Sequence, residues 1–293
     1  MRTNPSSALS LLRRLAVGLP SRRLGSLSLG LVVALTGCLA LAVERKVAFS
    51  AKSDFGTVYV VDEGDRRYLR FDHVDGNDQS VILKSKPEAV PMEYIRVAAA
   101  GLAFTAGRER ALVMGLGGGA FPMLLHRRVP GMQIDVVEIN PTVADVAKRF
   151  FGVTEDARLK IHLEDGGKFM KGEGARYDVM LLDAYSDTGI PEHLRSAAFF
   201  EDVRRRLDPK GAAIINIALL DADAEARLIR TFAGAFEGCT LLRGQRLGNT
   251  ILVGTDGPQP DEAALRDRLK GLTVKLGLPD LNKTVVGVED CVP

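Results

Sequence analysis

The residues of this chain that could do chemistry cluster between Arg110 and Asn140, where ALVMGLGGGAFPMLLHRRVPGMQIDVVEIN follows the arginine. Gly115, Gly117, Gly118 and Gly119 come directly after an apolar run, Ala111 to Met114. The carboxylate of Glu138 closes a second run, Gln133 to Ile139. Glycines let a backbone turn sharply off a strand and approach a ligand. A carboxylate about 20 residues on, at the end of the next parallel strand, can accept hydrogen bonds from both ribose hydroxyls. Strand, glycine turn, helix (about Phe121 to Arg128), strand and terminal acid in that order make a nucleotide-binding half-site. No Gly-Lys-Ser/Thr follows the glycines, so a phosphate-cradling P-loop is excluded and a nucleoside of another kind is expected.

The elements that must position these residues alternate along the chain. TVYVVDEGDRRYLRFD offers two β-rich runs around Glu63-Gly64-Asp65, a hairpin signal, and a turn from Asp75 to Gln79 leads to a short strand, VIL. So small a β unit cannot bury itself alone and must pack on the main domain or on a second subunit. A helix follows, about Pro91 to Phe104. After Glu138 the pattern gives a helix from Pro141 to Phe151, a strand from Leu159 to Leu163 ending on Glu164-Asp165-Gly166, and a strand from Tyr177 to Leu182 ending on Asp183. A helix from about Glu192 to Leu207, a turn at Asp208-Pro209-Lys210-Gly211 and a strand from Ala212 to Ala218 continue it. A helix from Ala222 to Phe236 and strands at Thr240 to Arg243 and Thr250 to Gly254 complete it. Such alternation predicts an α/β fold with a doubly wound, mostly parallel sheet, whose ligands sit outside the carboxyl ends of the strands. Gly117, Glu138, Asp165 and Asp183 all fall at such ends.

With 293 residues, 46% apolar and 26% charged, the chain can bury a full core. Its 39 basic and 37 acidic residues leave a net charge of +2, too little to hold nucleic acid through its phosphates. The basic run Arg204, Arg205 and Arg206 sits late in a predicted helix and reads as a solvated helix end. Cys38, Cys239 and Cys291 are too few and scattered for a zinc site or a disulfide framework. His73, His126, His162 and His193 lack metal-ligand spacing, so no metal is expected and the histidines read as ordinary surface or partly buried residues. Residues 1–43 read as a segment outside the fold: Arg2, Arg13, Arg14, Arg22 and Arg23 precede an uncharged, largely apolar run from Leu24 to Val43. This is the pattern of an export signal. Leu35-Thr36-Gly37-Cys38 resembles a lipoprotein box that would lipidate Cys38, and Ser21-Arg22-Arg23 resembles a twin-arginine signal. The run is also about long enough to span a bilayer uncleaved. A start codon placed too far upstream would leave a cytoplasmic protein instead.

Together these residues resemble the spermidine synthase family of polyamine aminopropyltransferases over roughly residues 53–256. The resemblance implies a Rossmann-like S-adenosylmethionine methyltransferase fold with a small N-terminal β-hairpin domain. The implied divisions are 53–90 for that domain, 91–256 for the catalytic domain and 257–293 for a C-terminal helix and tail, with a homodimer as the assembly. The family's glycine loop, Gly-Gly-Gly-Asp-Gly, is matched by Gly117-Gly118-Gly119-Ala120-Phe121. Its ribose-binding acid is matched by Glu138, and its adenine-contacting Asp-Gly by Asp165-Gly166. The family's Asp-Ser-Ser-Asp segment is approximated by Asp183-Ala184-Tyr185-Ser186-Asp187 with one extra residue, its hairpin glutamine by Gln79, and its Tyr-His-Glu by Glu93 alone.

The implied chemistry is displacement by an amine on the carbon next to a sulfonium. Decarboxylated S-adenosylmethionine, or the intact form, would be the co-substrate, a polyamine such as putrescine the acceptor, and no prosthetic group is expected. The amine must lose a proton, so a carboxylate must stand within reach of it. Asp183 is assigned that role and Asp187 the second catalytic position, with Gln79, Glu93 and Tyr185 holding the cationic chain. Ala120 replaces the loop aspartate that in the family holds the donor's aminopropyl ammonium. Its loss makes an intact methyl donor easier to admit, so a methyltransferase is the rival reading, and a catalytically silent nucleoside-binding domain is the third.

Overall fold

In the N-terminal part of the chain, period-two patterning produces an antiparallel meander. The computed structural model describes residues 44–186, 189–218, 220–245 and 248–291. Strands β1 (Arg45–Ser53), β2 (Gly56–Glu63), β3 (Arg66–Phe71) and β4 (Asp78–Leu83) pair in chain order. Gly64 takes a positive φ of 57° at the tight turn where Glu63 pairs with Arg66, as expected for a two-residue hairpin. Val58, Val60 and Leu69 on one face bury against Val143, Val146 and Phe151 of the main domain, so the small unit covers its apolar side there. The sheet begins at Arg45, upstream of the expected boundary at residue 53. Strand β1 is an edge strand with only half-buried or exposed residues, and the alternation of Val47, Phe49 and Ala51 with Lys46, Ser50 and Lys52 carries it upstream of that boundary.

A helix α1 (Glu93–Ala100), extended by a tighter turn at Gly101–Phe104, leads into the main sheet. That sheet comprises β5 (Arg110–Met114), β6 (Gln133–Glu138), β7 (Leu159–Leu163), β8 (Tyr177–Leu182), β9 (Leu207–Ile217), β10 (Gly238–Arg243), β11 (Thr250–Thr255) and β12 (Gly287–Asp290). The order is β12-β10-β11-β9-β8-β5-β6-β7, parallel from β9 through β7 and antiparallel among β9, β11, β10 and β12. Helices α2 (Ala120–Arg128), α3 (Pro141–Phe150), α4 (Gly166–Lys171), α5 (Ala197–Arg205), α6 (Ala222–Ala233), α7 (Glu262–Leu276) and α8 (Leu281–Thr284) connect or cover the strands. The central strands are apolar on both faces, as covered parallel strands must be: Ala111 and Val113 enter one core, Leu112 and Met114 the other. Chain order reverses at β5 and β8, which opens the crevice outside their carboxyl ends.

Three expectations need correction. The predicted helix from Glu192 to Leu207 is broken at Ser196, whose hydroxyl accepts the Phe199 N–H at 3.2 Å and starts α5 afresh. The turn at Asp208 to Gly211 is a bulge within β9, since Tyr177 pairs with Leu207 but Val179 with Ala212. Cys239 and Cys291 form a disulfide, their Cα atoms 5.3 Å apart, because β12 pairs with β10 and brings the two ends side by side. The segment 257–293 is therefore more than a helix and tail, as it supplies a strand of the main sheet. Among the described residues no helix is long and apolar enough to cross a membrane. The export and lipidation readings, Cys38 included, concern residues outside the described ones.

Candidate active site

The site is built where β5 ends. The Gly115 N–H donates to Val137 O and the Asp183 N–H to Met114 O, both at 2.8 Å, so the loops leaving β5, β6 and β8 are tied together at their origin. Gly115 has a φ of +90°, and a Cβ there would stand 2.3 Å from the Asp183 carbonyl oxygen, so a side chain is excluded twice over. Glycine at 118 allows a second close approach, since a Cβ would lie 2.5 Å from Ser80 Oγ beneath β4. Gly119, in the left-handed region, turns the chain into α2, whose first residue is Ala120.

Glu138 is buried at the end of β6, where Oε2 accepts the Leu116 N–H at 3.0 Å and Oε1 the Asn140 N–H at 2.8 Å. Burial raises its pKa, and the backbone N–H groups that point at it oppose that rise. The next helix starts with Pro141 in its first turn, and Asn140 caps it by accepting the Thr142 N–H at 2.9 Å. The Asn140 amide donates to Ser53 Oγ at 3.0 Å and so reaches β1.

These elements enclose a cavity of about 720 Å³, within the range of small-molecule sites. Of the expected site residues, Gly115, Gly117, Gly118, Gln79, Glu138, Asp165, Gly166, Asp183 and Tyr185 line it. Gly119 faces away from it, beside Val153. Glu93 stands outside it too. Its carboxylate accepts the Gln245 N–H at 2.5 Å in a neighbouring cleft of about 260 Å³, while Tyr94 lines both spaces. Asp187 lies outside the described residues, between Ser186 and Gly189, whose backbones bond to each other at 2.9 and 3.3 Å. The acids on the wall are Asp54, Asp72, Asp78, Glu138, Glu164, Asp165 and Asp183, and among the described residues no lysine or arginine lines the cavity.

Asp183 is half-buried directly after β8 and is held from two sides. The Asn216 amide donates to Oδ1 at 2.8 Å and the Tyr94 hydroxyl to Oδ2 at 3.2 Å. Burial pushes its pKa up to about 6, although both donors favour the charged form and oppose the rise. Tyr94 is itself raised well above the usual phenol value by burial and by the carboxylate it faces. Tyr185 donates to Asn216 O at 2.6 Å, and burial raises its pKa as well. Asp165 caps α4 through Lys168 N–H at 2.9 Å and meets His193 Nε2 at 2.8 Å. Burial acts to raise its pKa, but those hydrogen bonds outweigh it and hold the carboxyl below the usual range.

Tyr94, Asn216 and Asn249 line the cavity without having been singled out in the sequence, and His193, expected to be an ordinary surface or partly buried residue, lines it as well. One signal was available: Asn216 interrupts the apolar run Ala212 to Ile217, and a buried amide in a central strand needs a partner.

Residues 92–218 match the family described as the spermine/spermidine synthase domain. The polyamine aminopropyltransferase of Vibrio vulnificus (strain CMCP6) is 29% identical over 240 residues, covering 80% of this chain and 80% of that protein. Human methyltransferase-like protein 13, solved in complex with SAH, superposes with a TM-score of 0.60 at 28% identity, over 64% of this chain and 94% of that one. A probable spermidine synthase from Corynebacterium glutamicum ATCC 13032 superposes with a TM-score of 0.65 over 77% of this chain and 88% of that one. At 22% identity it speaks to the fold alone.

Proposed function

The chain is a spermidine synthase-like family member, and from that premise we propose that it is a transferase moving an aminopropyl group from decarboxylated S-adenosylmethionine to a polyamine such as putrescine. The observation that carries this reading is the cavity wall: seven carboxylates, with no lysine or arginine among the described residues. A decarboxylated donor carries a sulfonium and an ammonium and no anion, and its acceptor is a polycation. An intact donor would bring a carboxylate into a space lined by acids.

In the step itself the acceptor nitrogen's lone pair forms a bond to the carbon beside sulfur. The C–S pair returns to sulfur, leaving a neutral thioether, and the nitrogen's proton passes to Asp183. A primary ammonium has a pKa near 10, so handing its proton to a carboxyl at about 6 before attack is uphill by about 4 units, roughly 5–6 kcal/mol. That cost is part of the barrier, because an ammonium has no lone pair: Asp183 takes the proton first, and the lone pair so freed then attacks the carbon. Glu138 would hold the ribose, Asp165 and Gly166 the adenine edge, and Gln79 and Tyr185 the cationic chain.

Methyl transfer from intact S-adenosylmethionine is the second reading, favoured by Ala120 at the start of α2 and by the similarity to a methyltransferase structure. The test is turnover by the purified chain with decarboxylated donor plus putrescine against turnover with the intact donor. Aminopropyl product with the first pair supports the proposal. Methyl transfer alone overturns it, and binding of neither donor would favour a silent binding domain.

We also propose that the chain is exported, anchored through residues 24–43 or a lipidated Cys38. The Cys239–Cys291 disulfide supports this, because such bonds persist in oxidising compartments. Loss of fatty-acid labelling in Cys38→Ser would support the lipid form. A full-length product in the cytoplasm with free thiols at both positions would overturn export.

A further inference from the structure

Asp183 depends on an amide whose orientation is set from the far side. Asn216 is 3% exposed on β9, and its side chain lies between two partners. Its Nδ2 donates to Asp183 Oδ1 at 2.8 Å, and its Oδ1 accepts from Asn249 Nδ2 at 2.9 Å. Asn249 directly precedes β11, which pairs antiparallel with β9 through Thr250 to Ile217 and Ile251 to Asn216. That register holds the Asn249 side chain at the end of β9.

The two ends of a primary amide are nearly equal in size and opposite in hydrogen-bonding sense, so the neighbours decide which end faces which. A carboxylate only accepts. Were the Asn216 amide reversed, its oxygen would face the Asp183 oxygen with no hydrogen between them, and only a protonated acid could bridge the gap. A protonated acid cannot serve as a base. Asn249 opposes that reversal, because its N–H needs the Asn216 oxygen on its own side.

We propose that Asn249 is a positioning residue for the reaction: by donating to the Asn216 oxygen it keeps the Asn216 N–H turned toward the Asp183 carboxylate. The proposal rests on the reading of Asp183 as the base. The other titratable groups near Asp183 among the described residues are Tyr94 from α1 and Tyr185 from the loop after β8, with Glu225 of α6 facing Tyr185. Burial raises both phenols, so they stay neutral while Asp183 titrates.

The test follows the Asp183 carboxyl by difference infrared titration of the full chain, with Asp183→Asn to assign its band, beside the acid limb of turnover. Asn249→Leu keeps the volume and removes the donor. One lost hydrogen bond of about 1 kcal/mol should move the Asp183 midpoint up by about 0.5–1 pH unit. Asn249→Ala, which adds no apolar bulk, should give the same shift. Asn216→Leu should move it at least as far, and Asn249→Leu should add nothing in that background, because Asn249 acts only through Asn216. An unmoved midpoint in both Asn249 variants, or a shift of equal size with Asn216 already replaced, would overturn the proposal. The infrared midpoint needs no turnover. If it shifts as expected in a chain that makes no aminopropyl product, the functional reading falls and the positioning role stands.

Discussion

Asp183→Asn should make the folded chain more stable above neutral pH while removing the proposed base. Burial lifts the Asp183 pKa from its ordinary 3.8 to about 6, which at about 1.36 kcal/mol per unit costs the fold roughly 3 kcal/mol whenever the group is ionised. Asparagine carries no charge to bury, but it has one acceptor end where the carboxylate has two. Its oxygen can accept from Asn216 Nδ2, but its Nδ2 must then donate to the Tyr94 oxygen, which leaves the phenol proton without its acceptor and returns about 1 kcal/mol. The net gain is about 2 kcal/mol, or roughly 4–8 °C in Tm for a domain of this size. The folded-state pKa lies above the unfolded one, so the cost is absent below pH 3.8, grows between 3.8 and about 6, and is complete above that. Calorimetric melts should therefore show the variant more stable at pH 8 and no more stable than the parent at pH 4. Turnover should fall by a factor of about 10² to 10⁴ at pH 8, and by about a hundredfold less at pH 4, where the parent's own base is already protonated. An equal Tm difference at both pH values, or a loss of stability at pH 8, would refute the idea that Asp183 is held charged against its surroundings.

The same pKa predicts that turnover of the parent chain falls about tenfold per unit below pH 6, as the base is protonated, and a limb centred near pH 4 would place the base elsewhere. Glu138→Ala should weaken methylthioadenosine binding about tenfold or more, read by calorimetric titration, since charge-assisted hydrogen bonds to a ribose are worth about 1.5–3 kcal/mol. Cys291→Ser should cost about 2–4 kcal/mol in a denaturant melt, because the disulfide closes a span of 52 residues. The parent should lose the same amount in reductant while the variant loses nothing more.

The alternation of apolar runs with glycine turns was enough to set the α/β class, because it reflects only local geometry: period two or unbroken apolar runs for strands, 3.6 for helices. It also located Glu138, Asp165 and Asp183, since a strand's carboxyl end is a position along the chain. What stayed hidden depends on how elements are rotated and paired. Glu93 and Tyr94 are neighbours on one helix about 100° apart, and only the packing of α1 decides that Tyr94 enters the cavity while Glu93 turns to Gln245. Cys239 and Cys291 become neighbours through the antiparallel register of β10 and β12, which neither segment encodes alone. Asp183, Asn216 and Asn249 form one chain of hydrogen bonds from three separate segments, and an amide's hydrogen-bonding sense exists only once its neighbours are in place. Sequence thus determined where the strand ends and their acids fall. Tertiary structure decided which side chains face them, because side-chain direction is a property of packed elements and not of spacing along the chain.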